Sequence, residues 1–283
     1  MHHPALTWLY CPAARLDLLE KARISEADVV IYDLEDAVLP SQKDHAREQL
    51  RNFLSHNIRS GTSIATEVHV RMNNLESRWA QADIEMLAST DEIDAVRVPK
   101  VESPDQLAAF SNKLNGFAVH ALVETAKGLA NLEEICGSPF IEGVSLGDAD
   151  IRADMHLTGE HAMDQFRVRL VLALASQGKP APVGSVFTDL LDTEGLLRHT
   201  RHLRDLGFIG RTALHPKQLP IIRQAFTPTP DETDQARKLL AAAAAASDND
   251  SSGAFTMADG RFVDVPIIRQ AETTMALAAA VRN

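Results

Sequence analysis

Residues 121–154 read ALVETAKGLANLEEICGSPFIEGVSLGDADIRAD, and this stretch decides the fold. A short apolar run, Phe117–Val123, ends at an acid, Glu124; a second, Val144–Leu146, is followed by two more, Asp148 and Asp150. Strand-like runs alternating with helical ones point to parallel βαβ units. Two carboxylates at the ends of successive strands can converge on a hard divalent cation. Mg²⁺ prefers oxygen ligands and keeps several waters, so one or two protein carboxylates plus substrate oxygens suffice to hold it. The pattern points to metal-assisted chemistry on an oxygen-rich small molecule.

Working outward, strands are predicted near Thr7–Tyr10, Val29–Asp33, Val68–Met72, Ala95–Pro99, Phe117–Val123, Gly143–Leu146, Pro182–Val186 and Thr212–Leu214. Helical stretches lie between most of them, among them Leu16–Ala22, Gln42–Ser55, Trp79–Leu87, Asp105–Asn112, Leu129–Cys136 and Glu194–Leu206. Eight strands with intervening helices predict an α/β chain folded as a (β/α)8 TIM barrel. A doubly wound open sheet is the alternative, but no glycine-rich dinucleotide fingerprint follows an early strand. Beyond the barrel, Asp231–Ala246 is a strong helix former, Ser247–Gly253 (SDNDSSG) a polar breaker read as a mobile loop, and Pro266–Val281 a last helix. Residues 1–246 are thus expected to form the catalytic barrel and 247–283 a loop with a C-terminal helical extension, or lid.

Bulk properties narrow the chemistry. A barrel of roughly 250 residues absorbs most of the 283 without a second large domain. A formal net charge of −11 argues against a nucleic-acid surface, while leaving anionic small substrates open. Two cysteines, Cys11 and Cys136, make no disulfide framework. No apolar run approaches the roughly 20 residues of a membrane span, and the N-terminus has no signal-peptide pattern. The expectation is a soluble, cytoplasmic enzyme.

Barrel enzymes carry their sites at the C-terminal strand ends. There the chain places Arg15, then Asp33, Glu35 and Asp36, then Arg71 with Asn73, then Lys100, Glu124, Asp148 and Asp150, and last His215 and Lys217. Glu124 and Asp150 are the metal pair by this reading. Glu124 could instead begin a helix, where an acid complements the macrodipole, and spacing does not separate Asp148 from Asp150. Arg71 could hold a substrate carboxylate in bidentate fashion or pair with Glu35 or Asp36, and the two roles are compatible. The DLED run, Asp33–Asp36, could orient Arg71 and the metal waters. Lys43 and Arg47 read as helix charges or partners of these acids. A lone histidine such as His215 is more often structural, while Arg15 and Lys217, each near a helix start, could meet phosphate.

At these residues the chain resembles the citrate lyase β-subunit-like branch of the HpcH/HpaI aldolase superfamily. The matching segments are CPAAR (Cys11–Arg15), ADVVIYDLEDAV (Ala27–Val38), VRMN (Val70–Asn73), VPKVES (Val98–Ser103), VETAKGLAN (Val123–Asn131), SLGDADIRADM (Ser145–Met155), LGFIGRTALHPKQ (Leu206–Gln218) and GRFVDVPIIRQAE (Gly260–Glu272). They run in family order over nearly the whole chain. One departure is the Gly147-Asp148-Ala149-Asp150 segment, where relatives often have Glu-Asp.

The resemblance implies a (β/α)8 barrel assembled as a homotrimer or hexamer and binding Mg²⁺ through Glu124 and Asp150, with Arg71 and Glu124 contacting substrate. It implies reversible Claisen cleavage of a 3-hydroxyacyl-CoA such as citramalyl-, malyl- or citryl-CoA into acetyl-CoA and a 2-oxo acid. Arg71 would grip the carboxylate, and Arg15 and Lys217 would help hold the CoA phosphates. Free-standing acyl-CoA lyases carry an aspartate in a tail motif like GRFVDVP that reaches a neighbouring subunit's active site. Asp264 matches it and is the expected acid at the enolate carbon, although it could simply cap the last helix, with Pro266 at an early helical position. The alternatives are an HpcH-type pyruvate aldolase working without CoA, and a citrate lyase complex subunit without independent turnover.

Overall fold

Seven of the eight predicted apolar runs pair as strands in the computed structural model, which describes residues 4–56, 67–90, 92–111, 116–247, 254–257 and 259–280. They are β1 (Thr7–Pro12), β2 (Val29–Asp33), β3 (Glu67–Arg71), β4 (Ala95–Val98), β5 (Ala118–Val123), β6 (Gly143–Leu146) and β7 (Arg211–Ala213). All are parallel, in the order β6-β5-β4-β3-β2-β1-β7. Every residue of β2, β4, β6 and β7 is buried, as expected of parallel strands covered on both faces.

The run predicted as a strand at Pro182–Val186 is reduced to a single bridge, Gly184 to Arg211. Pro180 and Pro182 have no N–H to offer a ladder. The segment still lies along β7, with Ile209 N–H donating to Pro182 O at 3.0 Å and Thr212 N–H to Gly184 O at 2.9 Å. Gly184 lets the segment pack closely there, since a Cβ would sit 2.5 Å from Leu203 Cδ1 of the helix Thr193–Asp205 and push that side chain aside.

A second correction concerns Leu129–Cys136, predicted as one helix. It is two, Ala126–Ala130 and Leu132–Gly137, separated at Asn131. The Asn131 side chain donates to Glu102 O at 2.8 Å, a hydrogen bond outside the helix that favours the break.

The described residues fall into two compact units, residues 6–225 and a second of 4–5 with 226–280. In the second, the helices Pro230–Ser247 and Val265–Ala280 pack together, and Phe255–Thr256 pairs antiparallel with Phe262–Val263. The predicted loop at 247–253 lies outside the described residues from 248 on. No helix among the described residues is long and apolar enough to cross a membrane.

Candidate active site

Side chains two apart on a strand share a face. That periodicity brings Tyr10 and Pro12 of β1, Arg71 of β3, Arg97 of β4, Leu122 of β5 with Glu124 just beyond it, and Ser145 of β6 with Gly147 just beyond it, to one cavity of about 720 Å³. Asp33, Asp36, Asp148 and Asp150 line it too. Three of the sequence-predicted site residues, Arg71, Glu124 and Asp150, therefore share one wall at the C-terminal end of the sheet.

Arg71 is held from below by Asp33, whose two carboxylate oxygens accept from Nε and Nη2 at 2.7 Å each. Nη1 lies 3.0 Å from Glu35 and 3.5 Å from Asp36. The anticipated pairing with Glu35 and Asp36 is present, but the principal partner is Asp33. Asp33 also accepts from the N–H groups of Glu35 and Ala37, so the DLED turn and the guanidinium orient each other. Burial disfavours the Arg71 charge, yet Asp33, Tyr10 and Glu35 hold its pKa well above the ordinary guanidinium value. A guanidinium has five N–H donors, so some remain for a ligand.

Glu124 is buried, and its carboxyl is pushed up to about 8, first by burial and then by the charges of Glu35 and Asp150, against the pull of Arg71 and Lys100. Its Oε2 accepts from Lys100 N–H at 3.2 Å. Lys100 sits in the left-handed region (φ 54°), a costly conformation for a residue with a Cβ and one found at functional sites. The Lys100 ammonium meets Glu35 at 3.0 Å. Space for Glu124 comes from Gly147, where a Cβ would lie 2.6 Å from Glu124 Cγ.

Asp148 and Asp150 open the helix Asp148–Met155. Asp148 accepts from Arg167, which also binds Glu160 and Asp164. Among the described residues no cation pairs with Asp150 within salt-bridge distance. The difference follows from the helix Glu160–Ser176, which buries Arg167 against the first acid and leaves the second facing the cavity. Glu124 and Asp150 thus offer hard oxygen donors in a pocket with more carboxylates than it balances, a set that fits a divalent cation retaining water and substrate ligands. Among the described residues no three His, Cys, Asp or Glu side chains gather as a closed metal cage.

The remaining predicted residues stand elsewhere. Arg15 and Lys217 are exposed beyond the ends of β1 and β7, neighbouring strands, and neither lines the cavity. Arg15 is paired with Asp17 at 3.0 Å. His215 is structural: its Nδ1 accepts from Lys217 N–H at 3.1 Å, and Gln218 returns the capping bond. Asp264 belongs to the second unit, where its carboxylate caps the last helix by accepting from Ile267 N–H at 3.3 Å.

Sequence reading missed Arg97, Arg167, Arg211 and His199, all in the cavity wall. Arg97 lies mid-strand and Arg167 mid-helix, and neither carries a local signal. Arg211 lies just before the predicted strand Thr212–Leu214 and is the first residue of β7, away from the strand tip where site residues were sought. It is buried, which brings its guanidinium down to about 10, and it donates to Ser185 O, Thr200 Oγ1 and His199 Nδ1 at 3.0 Å each.

The family model HpcH/HpaI aldolase/citrate lyase matches residues 6–216. The (3S)-malyl-CoA thioesterase of Cereibacter sphaeroides is 33% identical over 99% of this chain and 96% of its own. The L-malyl-CoA/beta-methylmalyl-CoA lyase of Rhodobacter capsulatus is 33% identical over 93% and 91%. Among solved structures, CitE of Mycobacterium tuberculosis in complex with magnesium, acetoacetate and coenzyme A superposes with a TM-score of 0.80 at 32% identity, covering 98% of both chains. With the family model matching residues 6–216 and relatives 33% identical over nearly the whole chain, the chain belongs to the HpcH/HpaI aldolase/citrate lyase family.

Proposed function

We propose that this chain is a Mg²⁺-dependent carbon–carbon lyase that cleaves, or in reverse forms, a 3-hydroxyacyl-CoA of the malyl-, citramalyl- or citryl-CoA type, giving acetyl-CoA and a 2-oxo acid. The observation that carries the reading is the buried Glu124 carboxyl, pushed up to about 8 by burial, Glu35 and Asp150, inside a cavity that also holds a pre-oriented Arg71. The lyases among its relatives and the magnesium and coenzyme A of its structural neighbour support it.

Glu124 and Asp150 hold the metal, which when bound supplies Lewis acidity to the substrate's hydroxyl and carbonyl oxygens. Arg71, fixed by Asp33, takes the oxo-acid carboxylate with its remaining N–H groups and sets the orientation for cleavage. The substrate hydroxyl gives up its proton to a carboxylate or water of the cavity as its oxygen becomes the oxo-acid carbonyl, and the C–C bonding pair passes to the acetyl-CoA carbon, which then needs a proton. Asp264 donates it, and removes it in the condensation direction. Phe262 and Val265, large apolar side chains beside Asp264 that remain exposed, suit a segment that covers something. Residues 247–283 are accordingly read as a lid on a catalytic barrel of residues 1–246, with Asp264 serving a neighbouring protomer in a homotrimer or hexamer. Residues 182–186, bridged to β7, are read as the eighth stave of a (β/α)8 barrel. Arg15 and Lys217, on adjacent strand tips, are assigned to the CoA phosphates. The buried free thiols Cys11 and Cys136 suit the reducing cytoplasm.

The test is to incubate purified protein with malyl-, citramalyl- and citryl-CoA and follow acetyl-CoA and the 2-oxo acid. Chelation should abolish cleavage and added Mg²⁺ restore it. Cleavage of CoA-free hydroxy-oxo acids instead would favour the pyruvate aldolase. Failure to turn over alone would favour a complex subunit, and release of free CoA with an intact hydroxy acid would redirect the reading to thioester hydrolysis.

A further inference from the structure

Arg71 and Arg97 are register partners on adjacent parallel strands, and both line the cavity. Three carboxylates surround the first guanidinium. Around the second, no carboxylate lies within salt-bridge distance among the described residues. Arg97 is fully buried; Nη2 donates to Ser145 Oγ at 3.2 Å, while Nε and Nη1 have no hydrogen-bond partner. Its underside lies 5.4 Å from the centre of the Trp8 ring, a weak substitute for an anion. Burial and the like charge of Arg71 work against its ionised form, and the nearby Tyr10 and Glu124 only partly offset them. A buried guanidinium with no carboxylate in direct contact is costly, and an apolar side chain of similar volume would relieve that cost.

We infer that Arg97 is a specificity-determining residue that receives a second anionic group on the oxo-acid half of the substrate. Resting on the lyase reading above, this selects a 2-oxo dicarboxylate over a 2-oxo monocarboxylate. Arg71 takes one carboxylate, and the neighbouring guanidinium, with donors to spare, takes the other. Arg97 is shut off from water, so a ligand oxygen reaches it only as a neighbour gives way. Tyr10, in the same wall with its ring 5.0 Å from the Arg71 guanidinium, is placed to do so.

The experiment is calorimetric titration of the Mg²⁺-loaded protein with oxaloacetate and with pyruvate, for the wild type, Arg97→Met and Arg97→Lys, with thermal melts of each. The wild type should bind oxaloacetate at least ~10-fold more tightly, a margin one charge-assisted contact can supply. Arg97→Met should erase that margin, keep pyruvate within about twofold and leave the melting temperature undiminished. Equal binding of the two acids by the wild type overturns the inference, as does an equal loss of both in Arg97→Met. If Arg97→Met does not fold, Arg97→Lys decides: it keeps the charge but not the planar donors, so the preference should narrow, and an unchanged ratio overturns the inference. Failure of the lyase reading looks different, since then no CoA thioester is cleaved and neither acid binds, which removes this inference with it.

Discussion

Two carboxylate clusters line the same cavity and end in opposite states. Around Glu124, with Glu35 and Asp150, burial and mutual repulsion outweigh Arg71 and Lys100, and the Glu124 carboxyl rises to about 8. Around Arg167, with Asp148, Glu160 and Asp164, burial is overcome by the guanidinium, and the Glu160 carboxyl falls to about 2. Residue types are similar, but Glu124 is buried and makes no ion pair among the described residues, whereas Glu160 is exposed and bonded directly to the Arg167 guanidinium. Acids bonded directly to a buried guanidinium make a finished structural unit, whereas Glu124 and Asp150, which make no ion pair among the described residues, are open to an added cation.

The sharpest way to break the comparison is to remove the resident cation. Arg167→Met should destabilise the protein by about 3–5 kcal/mol in urea denaturation, the cost of breaking a buried ion network from one side. A change of a few tenths would mean that the second cluster is not closed by Arg167. At the first cluster, Asp150→Asn should lower Mg²⁺ affinity and turnover by more than ~100-fold, beyond the loss of an outer-shell contact, with little effect on the melt. If Asp148→Asn gave that activity loss instead, the assignment of the two aspartates would be reversed.

A gentler probe is Gly147→Ala. Its Cβ would press on Glu124 at 2.6 Å, so turnover should fall roughly 10-fold as the carboxylate is displaced, with helix Asp148–Met155 intact by circular dichroism. Wild-type turnover in this variant would show that Glu124 has room to spare. The mildest effect concerns the floor, where Trp8, His69 and His120 pack ring to ring. Burial and the Arg97 charge bring His69 down to about 3, and His120 is depressed as well. Both are neutral when folded but protonate in the unfolded chain below their ordinary value, so stability is full above that value and declines as pH falls towards the folded values. His69→Phe should make the decline between pH 7 and 5 shallower by up to about 1.4 kcal/mol per pH unit in urea titrations. An unchanged slope would place the acid sensitivity elsewhere.

Much of the site is readable from residue order. Arg71, Glu124, Asp148 and Asp150 each follow or end a short apolar run, and parallel topology carries such residues to one end of the sheet. The role of DLED in orienting Arg71 was visible as an acidic turn after β2, although the partner proved to be Asp33 rather than Glu35 or Asp36 alone. Residues 182–186 read as a strand from their composition, yet two prolines reduce them to a bridge. Arg97 was invisible because a mid-strand arginine looks like any solvent-facing residue until the strand is known to be buried on both faces.

The sequence by itself determined which residues stand at the strand tips, because strand periodicity and apolar run length are local properties of a few consecutive residues. Only the tertiary structure decided which acids acquire a permanent partner. Arg167 lies nineteen residues beyond Asp148, and Asp33 thirty-eight before Arg71. Whether a buried charge is neutralised depends on groups within a few ångströms. Spacing along a chain does not encode that distance; helix packing and strand register do.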